Sequence, residues 1–433
     1  MKQNKDPIEE INKMHAVIML GGKCVVMNEY KEPVFNRPDI SFSAVTDFRH
    51  RYANQKIIMP DSEGNKVNKP LAAVWLESPR RLQYAGIVFQ PGCTPEGYYN
   101  LWRGFSVEPK KGNWRPLYEH VLEVICDSDN KVFDWVIAWL ARTVQDPGGE
   151  RPGTSIVLRG GQGTGKGCFA TNYGKIFGNH FLHITNQKHL VGHFNNHLKD
   201  SVIVFVDEGF WAGDKRCEGV LKGLVTEDVH IIEPKGKDAF TVKNHINLIM
   251  ASNSDWIVPA GFDERRFCVL DVSDNYKGDR LYFNKIYKTM ENGGRAAMLY
   301  DLLQTDISGI DLRQIPRTPA LLEQIIESMT PVQSYWFDCL KAGGICDDYW
   351  PDDEEIDKVY DQFIRHCQDS GIRHRDAKQL FGRKLRKICP GLEIKRPRSM
   401  TDANRPQHYY FPDLEQCRRD LEKAIGMAVK WEK

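Results

Sequence analysis

The sequence predicts an α/β fold with a parallel sheet at its centre. A mixed α+β region precedes the sheet, and a small helical domain with a wing follows it. Three stretches carry this prediction. Ile156–Leu158 is an apolar run that leads into the glycine-rich loop Gly160–Lys166. Ser201–Val206 is a second apolar run and ends in Asp207 and Glu208. Ile246–Asn253 is a third and ends in an amide. Apolar runs that stop in polar groups are the pattern of strands buried on both faces of a parallel sheet.

The first region covers residues 1–147. Ala16–Leu20 and Cys24–Met27 flank Gly21, Gly22 and Lys23, which is a hairpin pattern. Leu71–Leu76 reads as a helix running toward Arg80 and Arg81. Leu117–Ile125 and Phe133–Val144 read as two amphipathic helices, the second striped by Phe133, Val136, Ile137 and Leu140. Asp127 and Asp129 lie between them, in a helix–helix turn where Asp and Ser act as caps rather than as a metal pair. Asp146–Gly153, rich in Gly and Pro, reads as a linker.

The core region covers residues 148–330. Gly160, Gly161, Gln162, Gly163, Thr164, Gly165 and Lys166 have the spacing of a phosphate-binding loop, or P-loop, with Gly167 and Cys168 opening the helix behind it. Glycines let backbone N–H groups curl around an anion. The helix N-terminus directs its positive end at the same phosphates, and Lys166 adds a point charge. The bland alternative is a glycine turn before a helix. Gly167 departs from the pattern, since Ser or Thr usually offers a Mg2+ ligand there. Mg2+ retains several waters in most sites, so a water is expected to take that place.

The two later strand ends complete a hydrolytic set with ATP as substrate and Mg2+ as cofactor. Asp207 is expected to hold Mg2+ through water, and Glu208 to polarise the attacking water. The Asn253 amide can reach both the γ-phosphate and that water. Arg265 and Arg266 stand just before another strand, Phe267–Asp271, as an arginine finger or as surface arginines. Val229–Pro234 and Ala239–Lys243 read as a β-hairpin with Lys235 and Lys237 at its tip, which either grip a polyanion or form an ordinary charged turn.

The last region covers residues 331–433. Asp352–Glu355 reads as the charged start of a helix striped by Ile356, Val359, Tyr360 and Phe363. A second helix carries Ala377, Leu380, Phe381 and Leu385 on one face and Arg383, Lys384, Arg386 and Lys387 around the other. Ile394–Arg398, with Lys395, Arg396 and Arg398, and His408–Phe411 read as two strands of a wing. A basic helix beside a basic wing is the footprint of a winged helix on DNA, or a solvated face that packs on a partner protein.

Composition narrows the function classes. With 41% hydrophobic and 27% charged residues the chain is an ordinary globular protein. A net charge of +1 requires any nucleic-acid affinity to come from local patches. No apolar run approaches a membrane span, so no membrane role is expected. The eleven cysteines include no C-x-x-C pair and read as reduced thiols of a cytoplasmic protein. His183, His189, His193 and His197 have no cysteine partner nearby and read as surface or helix histidines.

Taken in order, Gly160–Lys166, Asp207-Glu208, the Lys235–Lys237 hairpin, Asn253 and Arg265-Arg266 resemble the motifs of a superfamily 3 helicase. More closely, the chain resembles the helicase part of phage and prophage primase-helicases of the poxvirus-type branch. Trp75-Leu76, Arg80-Arg81, Gly86–Gly92 and Asn100–Phe105 resemble the segment before the ATPase in such proteins, and Tyr360–Arg418 their winged helix. The resemblance implies an AAA+ P-loop ATPase core within a homo-oligomeric ring, commonly a hexamer, with ATP at subunit interfaces. It implies single-stranded DNA in the channel touched by Lys235 and Lys237, unwinding 3′ to 5′, and a bacterial host cytoplasm. By the same resemblance Asn253 is the sensor and Arg266, with Arg265 second, the finger. No prim-pol carboxylate set is visible, so a primase or primase-polymerase is expected in trans or fused in a longer protein. A replication initiator or loader without strand separation, and a ring ATPase without DNA, remain the competing classes.

Overall fold

The computed structural model describes residues 6–33, 37–60, 64–186, 188–192, 195–208, 215–233, 239–345, 349–396 and 406–431. A five-stranded sheet stands at the centre, in the order Phe181–Ile184, Ile203–Asp207, Asn247–Ser252, Ser155–Arg159, Phe267–Asp271. Every neighbouring pair is parallel. All six residues of Asn247–Ser252 are buried, as are the first four of Ser155–Arg159 and of Ile203–Asp207. These are the continuous apolar runs seen in the sequence, covered on both faces. The register sets Ser252 opposite Arg159 and Asp207 opposite Ala251. The P-loop, the two acids and Asn253 therefore leave the sheet along one edge, where open α/β sheets bind ligands.

The N-terminal region holds a four-stranded sheet in the order Arg37–Ala44, Lys23–Glu32, His15–Leu20, Gln83–Tyr84. The expected hairpin joins Leu20 to Lys23 through Gly21 and Gly22, whose φ angles are +56° and +75°. A two-residue turn of this hand requires positive φ at both positions, which glycine adopts freely. Two small cores sit on this sheet, one around Phe48 and Trp75 and one around Ile18 and Tyr99.

The core that contains the parallel sheet includes Trp114, Leu117 and the buried face of helix Asn130–Gln145. Helix Asn130–Gln145 packs there through Trp139, whose Nε1 donates to the Thr154 carbonyl at 3.3 Å, and through Leu140, whose carbonyl accepts from Tyr173 Oη at 3.0 Å. Asp129 caps this helix, accepting from the backbone N–H groups of Lys131 and Val132. The Asp146–Gly153 stretch, expected as a linker, is anchored by Arg151, which donates to the carbonyls of Leu224 at 2.8 Å and Ile246 at 2.9 Å.

In the C-terminal region, helices Pro331–Ala342, Ile356–Asp369, Lys378–Ile388 and Leu414–Ile425 surround a three-stranded antiparallel sheet. Phe363 and Phe381, from the two predicted stripes, stack at 4.6 Å. Asp353–Glu355 differs from expectation. It is a strand rather than a helix start, because it pairs with His408–Tyr410, and the helix begins at Ile356. Glu393–Lys395 forms the other outer strand. Residues 397–405, and Arg398 with them, lie outside the described residues. Among the described residues no helix is long and apolar enough to cross a membrane.

Candidate active site

The P-loop strand ends at Arg159, and the loop turns through Gly160, Gly163 and Gly165, all at positive φ, into helix Lys166–Gly174. Lys166 is 6% exposed, and its ammonium donates to the carbonyls of Gly160 at 2.5 Å and Gly161 at 2.8 Å, and to Asn253 Oδ1 at 2.9 Å. The Asn253 amide donates in turn to Glu208 Oε1. One chain of contacts thus joins phosphate loop, amide and second acid. Burial lowers the Lys166 pKa, opposed by the carboxylates of Asp207, Glu208 and Asp274. The ammonium thus faces the carboxylates of an acidic edge.

Glu208 is held in an unusual backbone conformation, with φ +54°. A left-handed residue with a long side chain costs on the order of 1–2 kcal/mol. The cost is met locally: the Glu208 N–H donates to the Ala251 carbonyl at 2.9 Å. The kink ends the strand and swings the carboxyl toward Asn253 instead of continuing along the sheet face. Strain of this kind gathers where geometry serves function.

Asp207 ends the neighbouring position, with its Oδ2 3.6 Å from His183 Nε2. His183 stacks on Phe205 at 4.8 Å, so one histidine of the sequence cluster stands beside the first acid. Among the described residues no group of three or more His, Cys, Asp or Glu side chains could hold a metal. Asp207 nevertheless fits Mg2+ chemistry, since Mg2+ in phosphate sites takes one or two carboxylates and completes its shell with water and phosphate oxygen. A Cβ at Gly167 would meet no atom within 4 Å, which leaves room for a water where a hydroxyl usually stands.

Two features of the loop were not visible in the sequence. His120 packs under Gly165, its Nε2 3.3 Å from the Gly165 carbonyl and its Nδ1 3.1 Å from Tyr282 Oη. Burial pushes its pKa down to about 4, so it is neutral. A Cβ at Gly165 would lie 2.4 Å from this ring, which fixes glycine there beyond its φ of +96°. The turn that follows the strand Phe267–Asp271 also lies along the loop, with Gly278 N–H donating to the Gly163 carbonyl at 3.2 Å.

Arg265 and Arg266 lie at the opposite edge of the sheet, since Phe267 pairs with Ser155 while Asp271 pairs with Arg159. Glu264, 2% exposed, accepts from the N–H groups of Arg265 at 3.0 Å and Arg266 at 2.6 Å. The Arg266 guanidinium is partly buried, with Nη1 4.0 Å from Glu264, whereas Arg265 is exposed.

The expected DNA-binding residues differ in their surroundings. Val229–Ile232 and Phe240–Lys243 pair antiparallel as predicted, and the tip with Lys235 and Lys237 lies outside the described residues. On helix Lys378–Ile388, Arg383, Arg386 and Lys387 are exposed. Lys384 instead donates to both Asp376 oxygens at 2.8 Å. Lys395 is paired with Glu393 and lies 5.2 Å from the Tyr410 ring, and Arg396 is exposed.

Comparisons with known proteins bear on the same elements. A family of unknown function, DUF5906, matches residues 158–266, a span from the P-loop strand to Arg266. No curated protein matches the sequence. Solved structures of the NrS-1 C-terminal region do match. Its apo structure, residues 305–718 of that protein, has a TM-score of 0.67 at 18% identity, covering 94% of this chain and 99% of that one. Two A-form apo structures of the same region each have a TM-score of 0.65 at 18% identity, covering 94% and 100%. The fold of nearly the whole chain, with its mixed α/β architecture, is thus shared with the NrS-1 C-terminal region.

Proposed function

We propose that this chain is an ATP-dependent DNA helicase of a phage or mobile-element replication system. In this reading it is a superfamily 3, AAA+ type motor that forms a ring, such as a hexamer, and moves 3′ to 5′ on single-stranded DNA in a bacterial cytoplasm. A primase or primase-polymerase acts with it in trans or in the same longer protein. The observation that carries the reading is the continuous contact from Lys166 through Asn253 to Glu208.

Each residue has a role in hydrolysis. The loop N–H groups and Lys166 bind the β- and γ-phosphates. Asp207 would hold Mg2+ through water, and the ion would supply neutralisation of phosphate charge. Asn253 exchanges its contact with Lys166 for the γ-phosphate and orients the attacking water. Glu208 takes that water's proton as the bond to the leaving ADP breaks. Arg265 or Arg266 stabilises charge on the phosphoryl group of a neighbouring subunit. Lys235 and Lys237 contact the DNA backbone, and the basic C-terminal helix, with Lys395, Arg396 and Arg398 of the wing, adds a second, winged-helix contact.

The test is strand displacement on a forked DNA with ATP and Mg2+. Displacement by wild type, lost in Lys166→Ala, is expected. Hydrolysis with DNA binding and no displacement would favour an initiator or loader. Hydrolysis with no salt-sensitive binding to single strands would remove DNA from the reading.

A further inference from the structure

We infer that Lys277 is a second phosphate-binding cation of the P-loop, contacting the β- or γ-phosphate of the bound nucleotide beside Lys166. The inference rests on the nucleotide reading of the loop and adds a residue to it.

Position comes first. A Cβ built on Gly161 would lie 2.6 Å from Lys277 Nζ and 3.3 Å from its Cε, so the ammonium lies directly over the loop. Lys166 donates to the carbonyl of that same Gly161 at 2.8 Å. The two lysines thus approach one peptide of the loop, with Lys277 the last of the influences on the Lys166 pKa, after burial and the carboxylates of Asp207, Glu208 and Asp274. Asp274 carries the counter-charge for Lys277, and a triphosphate offers oxygens enough to meet both ammonium groups at the loop.

The turn carrying Lys277 is held in place. Lys277 N–H donates to the Asp274 carbonyl at 3.0 Å, Asp279 N–H to the Tyr276 carbonyl at 3.0 Å, and Gly278 N–H to the Gly163 carbonyl at 3.2 Å. Asp279 then caps helix Arg280–Thr289, and Tyr276 stacks on Tyr282 at 3.9 Å. The backbone under Lys277 is therefore fixed to the loop, which is the preorganisation a phosphate contact needs. The side chain itself is released easily. Its partner is Asp274, at 3.3 Å, with 46% and 64% of the two side chains exposed. Exposed pairs of this kind contribute little, so phosphate oxygens can replace the carboxylate.

The experiment measures binding of mant-ATP and mant-AMP to the full chain by fluorescence. Lys277→Ala should weaken mant-ATP about tenfold or more, the size of one charge-assisted hydrogen bond, and leave mant-AMP nearly unchanged. Lys277→Arg should retain most of the affinity. Lys277→Ala binding mant-ATP like wild type, while Lys166→Ala loses it, would overturn the inference and leave the nucleotide reading intact. Equal losses for mant-ATP and mant-AMP would also overturn it, by showing a structural rather than a phosphate role. If wild type takes up no mant-ATP, both readings fall together.

Discussion

Gly167 is the residue at which this P-loop departs from its pattern, and the space around it makes the departure testable. A Cβ there meets nothing within 4 Å, and Gly167 lies in the first turn of helix Lys166–Gly174. Gly167→Ser should therefore fold normally and place a hydroxyl where water otherwise completes the Mg2+ shell. Titrating ATPase activity with Mg2+ at fixed ATP should give a several-fold lower half-maximal concentration in the variant. An unchanged titration would mean that the ion does not pass this position. His120, at the base of the same loop, gives a pH prediction. Its folded pKa of about 4 lies below the ordinary histidine value of 6.5, so folding favours the neutral ring. Above about pH 6.5 the ring is neutral in both states and its contribution is complete. As pH falls from 6.5 toward 4 the unfolded chain takes up the proton first, and stability is lost, about 2 kcal/mol by pH 5. Denaturant midpoints at pH 7 and pH 5 should draw closer together in His120→Gln. An equal drop in both proteins would assign the pH dependence to other groups.

At the scale of elements, helix Lys378–Ile388 separates charge that faces solvent from charge used within the fold. Arg383, Arg386 and Lys387 are exposed, while Lys384 is held by both oxygens of Asp376. Replacing the three exposed residues by Ala should weaken single-stranded DNA binding and reduce the salt slope by about 2, at about 0.7 per phosphate contact. Lys384→Ala should leave the slope nearly unchanged and lower stability instead. Filter binding across a salt series reads both, and equal effects of the two variants would assign this helix to a protein partner. Elements with strong periodicity were legible in the sequence. The stripe from Ile356 to Phe363 lies on helix Ile356–Asp369, and the runs Ser201–Val206 and Ile246–Asn253 match the strands Ile203–Asp207 and Asn247–Ser252 to within two residues at either end. Asp353–Glu355 was not legible, because three acids carry no alternating pattern. It is a strand through its pairing with His408–Tyr410, where His408 Nδ1 lies 2.7 Å from Asp353 Oδ2. The contacts of His120 and Lys277 with the loop were hidden for a related reason. Each comes from a separate stretch of chain that only the packed fold brings to the P-loop.

For the whole molecule, the sheet register bears on whether a single chain can hold a complete site. The five residues Phe267–Asp271 run parallel to Ser155–Arg159. At about 3.3 Å per residue they separate Arg265 and Arg266 from the P-loop edge by roughly 16 Å, farther than an arginine side chain reaches. A finger at this edge must serve a neighbouring copy. The surroundings favour Arg265 for the task over Arg266, the first choice from sequence. Arg266 is partly buried against Glu264, a carboxylate that is 2% exposed, and removing it would leave that charge without its nearest cation. Arg266→Ala should therefore lower stability as well as activity, which makes it a poor probe of the finger. Arg265→Ala should keep its melting point and its nucleotide affinity while losing on the order of 10³ in ATPase rate. Mixing it with Lys166→Ala should restore part of the activity, because a sound P-loop from one variant can then face a sound Arg265 from the other. If the finger comes from a second copy, specific activity of wild type should also rise with protein concentration. If mixing restores nothing and specific activity is flat across dilution, neither arginine acts across an interface, and the ring reading loses its chemical reason.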